Sequence, residues 1–166
     1  VNLLVKQKLI EVESGYGLFT LEGWDALARA APGGAPRTRF VAMTFDPSMD
    51  EAYELGIRVA VRTCGPSEIR VDKIEHNDLI NDVMLSSIRR TQVTVADVTL
   101  HRQGVYFEAG FALGLGRIVI WTCREDEIDK VHFDTRQYPH VVWKTPHDLA
   151  KKLENRIRAT VQLPVR

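Results

Sequence analysis

The stretch QVTVADVTLHRQGVYFEAGFALGLGRIVIWT, residues 92–122, decides how the rest of the chain is read. A short β-branched run, Val93 to Ala96, passes through a polar loop into an apolar segment that Gly104 opens and that Gly114 and Gly116 close. Ile118, Val119 and Ile120 then start a second β-branched run. Such runs suit strands buried on both faces, and the segment between them suits a crossover helix. The expected order is strand, loop, helix, strand. In an open parallel sheet, ligands sit outside the carboxyl ends of the strands. That places Asp97, at the end of the first run, on the rim of a site.

Glu108 is the leading candidate for chemistry. Its neighbours Val105, Phe107, Ala109, Phe111, Ala112 and Leu113 are apolar, and a carboxylate is costly to bury among such groups unless something pairs with it. In the first turn or so of its helix it is expected to stay ionised, because the dipole and free N–H groups favour the charged form. An ionised carboxylate suits a nucleophile or an electrostatic stabiliser better than a general acid. The alternative is a glutamate that caps its own first-turn amides or faces water. Gly110 and Gly114 share a helix face and are expected to let the helix approach the sheet closely.

At 166 residues the chain can hold one well-buried domain with a small appendage. Lys plus Arg and Asp plus Glu both number 22, a balance that points to neither a nucleic-acid surface nor a membrane. No apolar run reaches transmembrane length and no secretory leader is visible, so a soluble cytoplasmic protein is expected. Two cysteines make neither a disulfide framework nor a metal cluster, and five scattered histidines show no zinc spacing. No metal and no cofactor are expected. The first residue is Val rather than Met, which fits a fragment of something longer or a chain without its disordered residues.

Three regions follow along the chain. Residues 1–31 suggest the end of an amphipathic helix (Leu3, Leu4, Leu9 and Ile10), a hairpin over Val12 to Thr20, and a helix through Trp24, Leu27 and Ala28. This order resembles the last part of a winged-helix domain, without a complete recognition-helix unit. Residues 32–39, with Pro32, Gly33, Gly34 and Pro36, read as a linker. Residues 40–166 form the main domain.

Within it, Phe40 to Thr44 is the first strand, running into a loop with Phe45, Asp46 and Ser48 at the same sheet edge as Asp97. Ser48 and Glu51 match a capping box, and Tyr53, Ile57, Ala60 and Cys64 recur at helical spacing. Cys64 is expected to be a buried structural thiol. Ile69 and Val71 form a second strand, and Asn77 or Asp78 caps a helix in which Asp82 lies about one turn in, facing the site or water. His76 reads as a surface or capping residue. After the Ile118–Trp121 strand, the loop His132 to Tyr138 either covers a nucleobase or is a solvated turn. Val141 to Trp143 is the last strand. Thr145, Pro146 and Asp148 start a final helix whose Leu149, Leu153, Ile157 and Val161 dock on the sheet.

The expected fold is therefore α/β: a five-stranded parallel, flavodoxin-like sheet of order 2-1-3-4-5 with helices on both faces, plus the helix–hairpin–helix appendage. That order brings Phe45, Asp46, Asp97 and Glu108 together at the switch point. Neither a G-x-G-x-x-G after the first strand nor a P-loop is present, which disfavours dinucleotide redox chemistry and P-loop hydrolysis.

The run Ala96 to Thr99 with Gly104 to Gly114 resembles the nucleoside 2-deoxyribosyltransferase family and its neighbours, the deoxynucleoside-monophosphate N-glycosidases and TIR-like domains. The resemblance covers residues 40–160 or so. It implies that Glu108 attacks C1′ of the sugar and that water or a second base completes hydrolysis or transfer, chemistry suited to a carboxylate nucleophile. It further implies that Asp97 orients the sugar hydroxyls or the helix-opening loop, that Phe45 and Asp46 touch substrate, and that Asp82 lies near the base. The loop His132 to Arg136 and Trp143 also resemble the TIR-like branch. Two departures matter. Ser48 and main-chain amides replace the family's usual phosphate contact, and His101, Arg102 and Gln103 replace its usual approach to the catalytic helix. Arg102 could grip a phosphate through its planar fork, or could simply be exposed. Nucleoside, nucleotide and NAD stay open as substrates, an NAD-cleaving regulatory or defence domain and a non-catalytic signalling module stay open as alternatives, and a homo-oligomer, with a fused or partner regulatory domain, is expected.

Overall fold

The computed structural model describes residues 10–13, 16–19, 38–65, 68–69 and 80–161, and among residues 10–19, 68–69 and 80–83 the backbone only. The chain divides into two compact units, Val1–Pro36 and Arg37–Arg166. In the first, Ile10–Glu13 (β1) pairs antiparallel with Tyr16–Phe19 (β2), Val12 opposite Gly17. The helices expected around this hairpin, and residues 32–37 of the expected linker, lie outside the described residues; Arg39, expected in the linker, instead opens the first strand of the second unit.

The second unit begins with Arg39–Ala42 (β3), buried throughout. A 3-10 turn, Pro47–Met49, leads to a π-helix, Ala52–Ile57, that continues as the α-helix Arg58–Thr63; the two together are α1. Glu68–Ile69 (β4) and Ile80–Arg89 (α2) follow, then Val93–Asp97 (β5), Gln103–Gly114 (α3), Ile118–Arg124 (β6), two 3-10 segments at Glu125–Lys130 and Phe133–Thr135, His140–Trp143 (β7) and Pro146–Thr160 (α4).

The strands lie side by side in the order β4-β3-β5-β6-β7, each pair parallel. The expectation of a regular five-stranded flavodoxin-like sheet needs correction at one edge. Four strands, β3, β5, β6 and β7, form the parallel sheet proper. Of the strand expected over Ile69 and Val71, the described part is Glu68 and Ile69, paired with Arg39 and Phe40; Val71 lies outside the described residues.

Side chains alternate across this sheet. Val41, Val95, Ile120 and Trp143 face α1 and α4, whose Tyr53, Ile57, Val61, Leu149, Leu153 and Ile157 complete one core. Phe40, Ala42, Ala96, Trp121 and Cys123 face the other way, against Met84 and Ile88 of α2 and Val105, Ala109 and Ala112 of α3. The four-residue stripe Leu149, Leu153, Ile157 and Val161 is buried along its length. Its helix starts on a reciprocal cap: Asp148 N–H donates to Thr145 Oγ1 at 3.2 Å, and Lys144 N–H donates to Asp148 Oδ2 at 3.0 Å.

Two local expectations are overturned. Ser48 does not cap the first helix. Asp46 is the N-cap of the 3-10 turn, Ser48 donates to it, and Glu51 makes no side-chain cap bond. The glycines of α3 do not face the sheet either: a Cβ built on Gly104, Gly110 or Gly114 would meet nothing within 4 Å. The close approach belongs to Gly56, whose Cβ would come to 2.9 Å from Leu149 Cδ2 and 3.1 Å from Pro146 O.

Candidate functional site

The loops after β3 and β5 lie next to one another because β3 and β5 are direct neighbours. The sequence-predicted residues sort into three groups there.

Asp97 is inside the protein rather than on its rim, at 2% exposure. Register sets this: Asp97 of β5 lies opposite Thr122 of β6, and Thr122 Oγ1 donates to Asp97 Oδ2 at 2.6 Å. Trp143 Nε1–H, from β7, donates to the same oxygen at 3.2 Å, and Thr99 N–H donates to Oδ1 at 3.1 Å. Burial pushes the Asp97 carboxyl above its ordinary range, and these hydrogen bonds oppose that shift. Thr99 carries the network onward, its Oγ1 accepting from Arg124 N–H at 3.0 Å. The group is built to fix the loop that enters α3. Thr122 went unremarked in the sequence, and no spacing could reveal it, because cross-strand pairing appears only with register.

His101, marked in the sequence only as a departure from the family pattern, holds a backbone conformation that spacing could not reveal. Its φ is 53°, the only left-handed non-glycine backbone among the described residues, a conformation costing roughly 1–2 kcal/mol for a residue with a Cβ. Its N–H donates to Val98 O at 2.9 Å, and its Nε2 lies 3.1 Å from Glu127 Oε2. Glu127 in turn pairs with Lys130, and these two contacts, Lys130 first, hold its carboxyl below the usual range. Arg102, the N-cap of α3, offers no side-chain cap bond. Its guanidinium lies 3.8 Å from Asp46 Oδ2, which ties the two switch-point loops together. Phe45 and Gln103 stand exposed at the same edge. The side chain of Asp82 lies outside the described residues, as does His76, although the backbone of Asp82 is in α2.

Glu108 departs from expectation in position and in charge. The helix begins at Gln103, so Glu108 sits in its second turn, beyond the free N–H groups of the first. It shares a flank of α3 with Phe111, over whose ring Arg89 of α2 lies at 5.4 Å. Tyr106 occupies the opposite flank, packed near Trp121 and His132. Glu108 is partly buried and has no hydrogen-bond or ion-pair partner among the described residues. Burial alone pushes its pKa from 4.5 up to about 7. The carboxyl expected to be firmly ionised is therefore poised between its two forms at neutral pH.

Cys64 and Cys123 are free and buried, burial raising the first and pushing the second up to about 12, so both are inert thiols. Among the described residues no three His, Cys, Asp or Glu side chains gather to hold a metal, and no helix is long and apolar enough to cross a membrane. The loop around His132 and Phe133 is exposed, Phe133 at 73%, and Arg136 braces it by donating to Val131 O and Asp129 O.

No protein-family model matches the chain, and no curated protein matches it. Solved structures do. A CMP N-glycosidase, BcmB, from Clostridium botulinum aligns at TM-score 0.56 and 15% identity, covering 72% of this chain and 98% of that one. A 2-desoxiribosyltransferase from Leishmania mexicana aligns at TM-score 0.43 and 22% identity, covering 53% of this chain and 65% of that one, less than two thirds of its length. At 15% identity the likeness to the CMP N-glycosidase is one of fold.

Proposed function

We propose that the domain spanning residues 40–166 cleaves the N-glycosidic bond of a nucleoside or nucleotide with Glu108 as nucleophile. A Glu108 oxygen forms a bond to C1′ as the C1′–N bond breaks and the electron pair leaves with the base. Water, or a second base, then displaces the carboxylate and gives hydrolysis or transfer. The observation carrying this reading is Glu108 itself, a partly buried carboxyl without a partner among the described residues, poised at about 7 on a helix delivered by the switch-point loop. Perturbed, unpaired carboxyls of this kind cluster at functional sites. In this reading Asp97 is a positioning residue acting through Thr99, while Phe45, Asp46, Ser48, Arg102, Gln103 and Asp82 surround the substrate. Residues 1–31 are a regulatory appendage joined by a linker that ends before the strand starting at Arg39. Self-association completes the site, and an active, monodisperse monomer would contradict that part.

The deciding experiment is a product assay by liquid chromatography on wild type and Glu108→Gln, with deoxynucleosides, deoxynucleoside monophosphates and NAD, each with and without an added base. Free base from wild type, reduced on the order of 10³-fold or more in the variant, is the expected result. A newly formed nucleoside would mark transfer. Nicotinamide as sole product would redirect the reading to an NAD-cleaving TIR-like domain, and no product at all to a binding module.

A further inference from the structure

We propose that Asp46 sets the substrate class, its carboxylate engaging from within the protein the donors that a phosphate would need, so that the crevice takes a sugar without a phosphate. The inference rests on the Glu108 reading for the reaction but on separate residues for its content.

The loop after β3 holds the groups that could grip an anion, and every one with a resolved contact is in use. Ser48 N–H and Ser48 Oγ–H both donate to Asp46 Oδ1, at 3.1 and 2.7 Å. Asp46 N–H donates to Thr44 Oγ1 at 3.3 Å, and Met49 N–H donates to Asp46 O at 2.9 Å. Arg102, the cation nearest this loop, is drawn to Asp46 Oδ2 at 3.8 Å. The two hydrogen bonds from Ser48, then Arg102, hold the Asp46 acid below its ordinary range, so it is charged throughout the neutral region. A phosphate entering between the two loops meets a carboxylate where it needs donors.

The rest of the rim offers no substitute among the described residues. Arg124 is paired with Asp126, Lys130 with Glu127 and Lys144 with Glu125, while Arg136 is spent on carbonyls. Each lysine and arginine in the described loops after β3, β5, β6 and β7 is thus engaged. A binding loop for phosphate would leave backbone N–H groups and a planar guanidinium pointing at the ligand; here they are directed at Asp46.

The test pairs one deoxynucleoside with its 5′-monophosphate and reads the ratio of their kcat/KM values for wild type, Asp46→Asn, and Asp46→Asn combined with Arg102→Gln. Asn caps a helical turn as well as Asp, so the first variant removes charge and keeps the turn. Wild type is expected to favour the nucleoside at least tenfold. Asp46→Asn is expected to shrink that preference at least tenfold, and Arg102→Gln to restore it. Equal or better use of the monophosphate by wild type, or an unchanged ratio in Asp46→Asn, would overturn the proposal. Should neither substrate release base, the Glu108 reading has failed, and inorganic phosphate titrated into the labelled proteins decides the matter alone. The Arg102 Nε–H resonance should move in Asp46→Asn and stay fixed in wild type; movement in wild type, or in neither, would overturn the role of Asp46.

Discussion

A carboxyl held at about 7 in the fold, against 4.5 when unfolded, leaves two independent signatures at Glu108. The first is in stability. The folded state favours the protonated form, so stability is lost as pH rises from about 4.5 through about 7 and the loss is complete above that. Glu108→Gln removes this dependence. Its advantage over wild type in chemical denaturation should grow between pH 5 and pH 8, to at most about 3 kcal/mol at 1.4 kcal/mol per pH unit; curves that stay parallel would place the carboxyl elsewhere. The second is in rate. A nucleophile must be ionised, so kcat/KM should rise through about pH 7, whereas a fall across the same range would make Glu108 a general acid. Asp97 makes a contrasting case. Asp97→Ala strands Thr122 Oγ1, Trp143 Nε1 and Thr99 N–H and should cost about 3–5 kcal/mol in denaturant midpoint analysis, since each buried donor left unsatisfied costs about 1–3 kcal/mol.

At the scale of elements, α3 separates its glycines from its packing. Val105, Ala109 and Ala112 meet the sheet, while Gly104, Gly110 and Gly114 face away with open space around them. Gly110→Ala should therefore stabilise the protein by about 0.8–1 kcal/mol through helix propensity alone, readable as a rise in thermal midpoint. Gly56→Ala should do the opposite. Its new methyl would press on Leu149 and on Pro146 O, and overpacking of this kind costs about 1–3 kcal/mol. Paired, the two substitutions test which helix in the unit 37–166 needs a glycine for contact. Sequence alone pointed to α3 because its glycines are spaced four apart, and spacing cannot say which face of a helix meets the sheet.

At the scale of the whole molecule, the unit 37–166 keeps two cores separated by one sheet. Both depend on strands that side chains cross alternately, so damage on one face should be felt on the other. Ile157→Ala, in the fully buried stripe of α4, should cost about 2–5 kcal/mol and lower the far-ultraviolet and tryptophan-fluorescence transitions together. Two of the three tryptophans report on this unit, Trp121 on one face and Trp143 on the other, and replacing Trp24, which lies in the unit 1–36, by Phe confines the signal to them. Separate transitions would show that the layers unfold independently.

Residues 92–122 carried their strand, helix and strand in the sequence because each rests on a local pattern: β-branched runs for β5 and β6, and an apolar segment bounded by glycines for α3. The cap at Thr145 and the stripe behind it were legible for the same reason, since both are periodic or positional features of a single helix. The burial of Cys64 was legible from the helical spacing of Tyr53, Ile57 and Ala60 before it. What required the tertiary structure was everything set by neighbours distant in sequence. Asp97 moved from rim to interior because Thr122 and Trp143 arrive from two other strands, and Glu108 lost its assured charge because burial outweighs a dipole one turn away. Asp46 turned from a candidate contact into a guard over Ser48 and Arg102 in the same way: hydrogen bonds and ion pairs are made in space, and residue spacing fixes them only within one element.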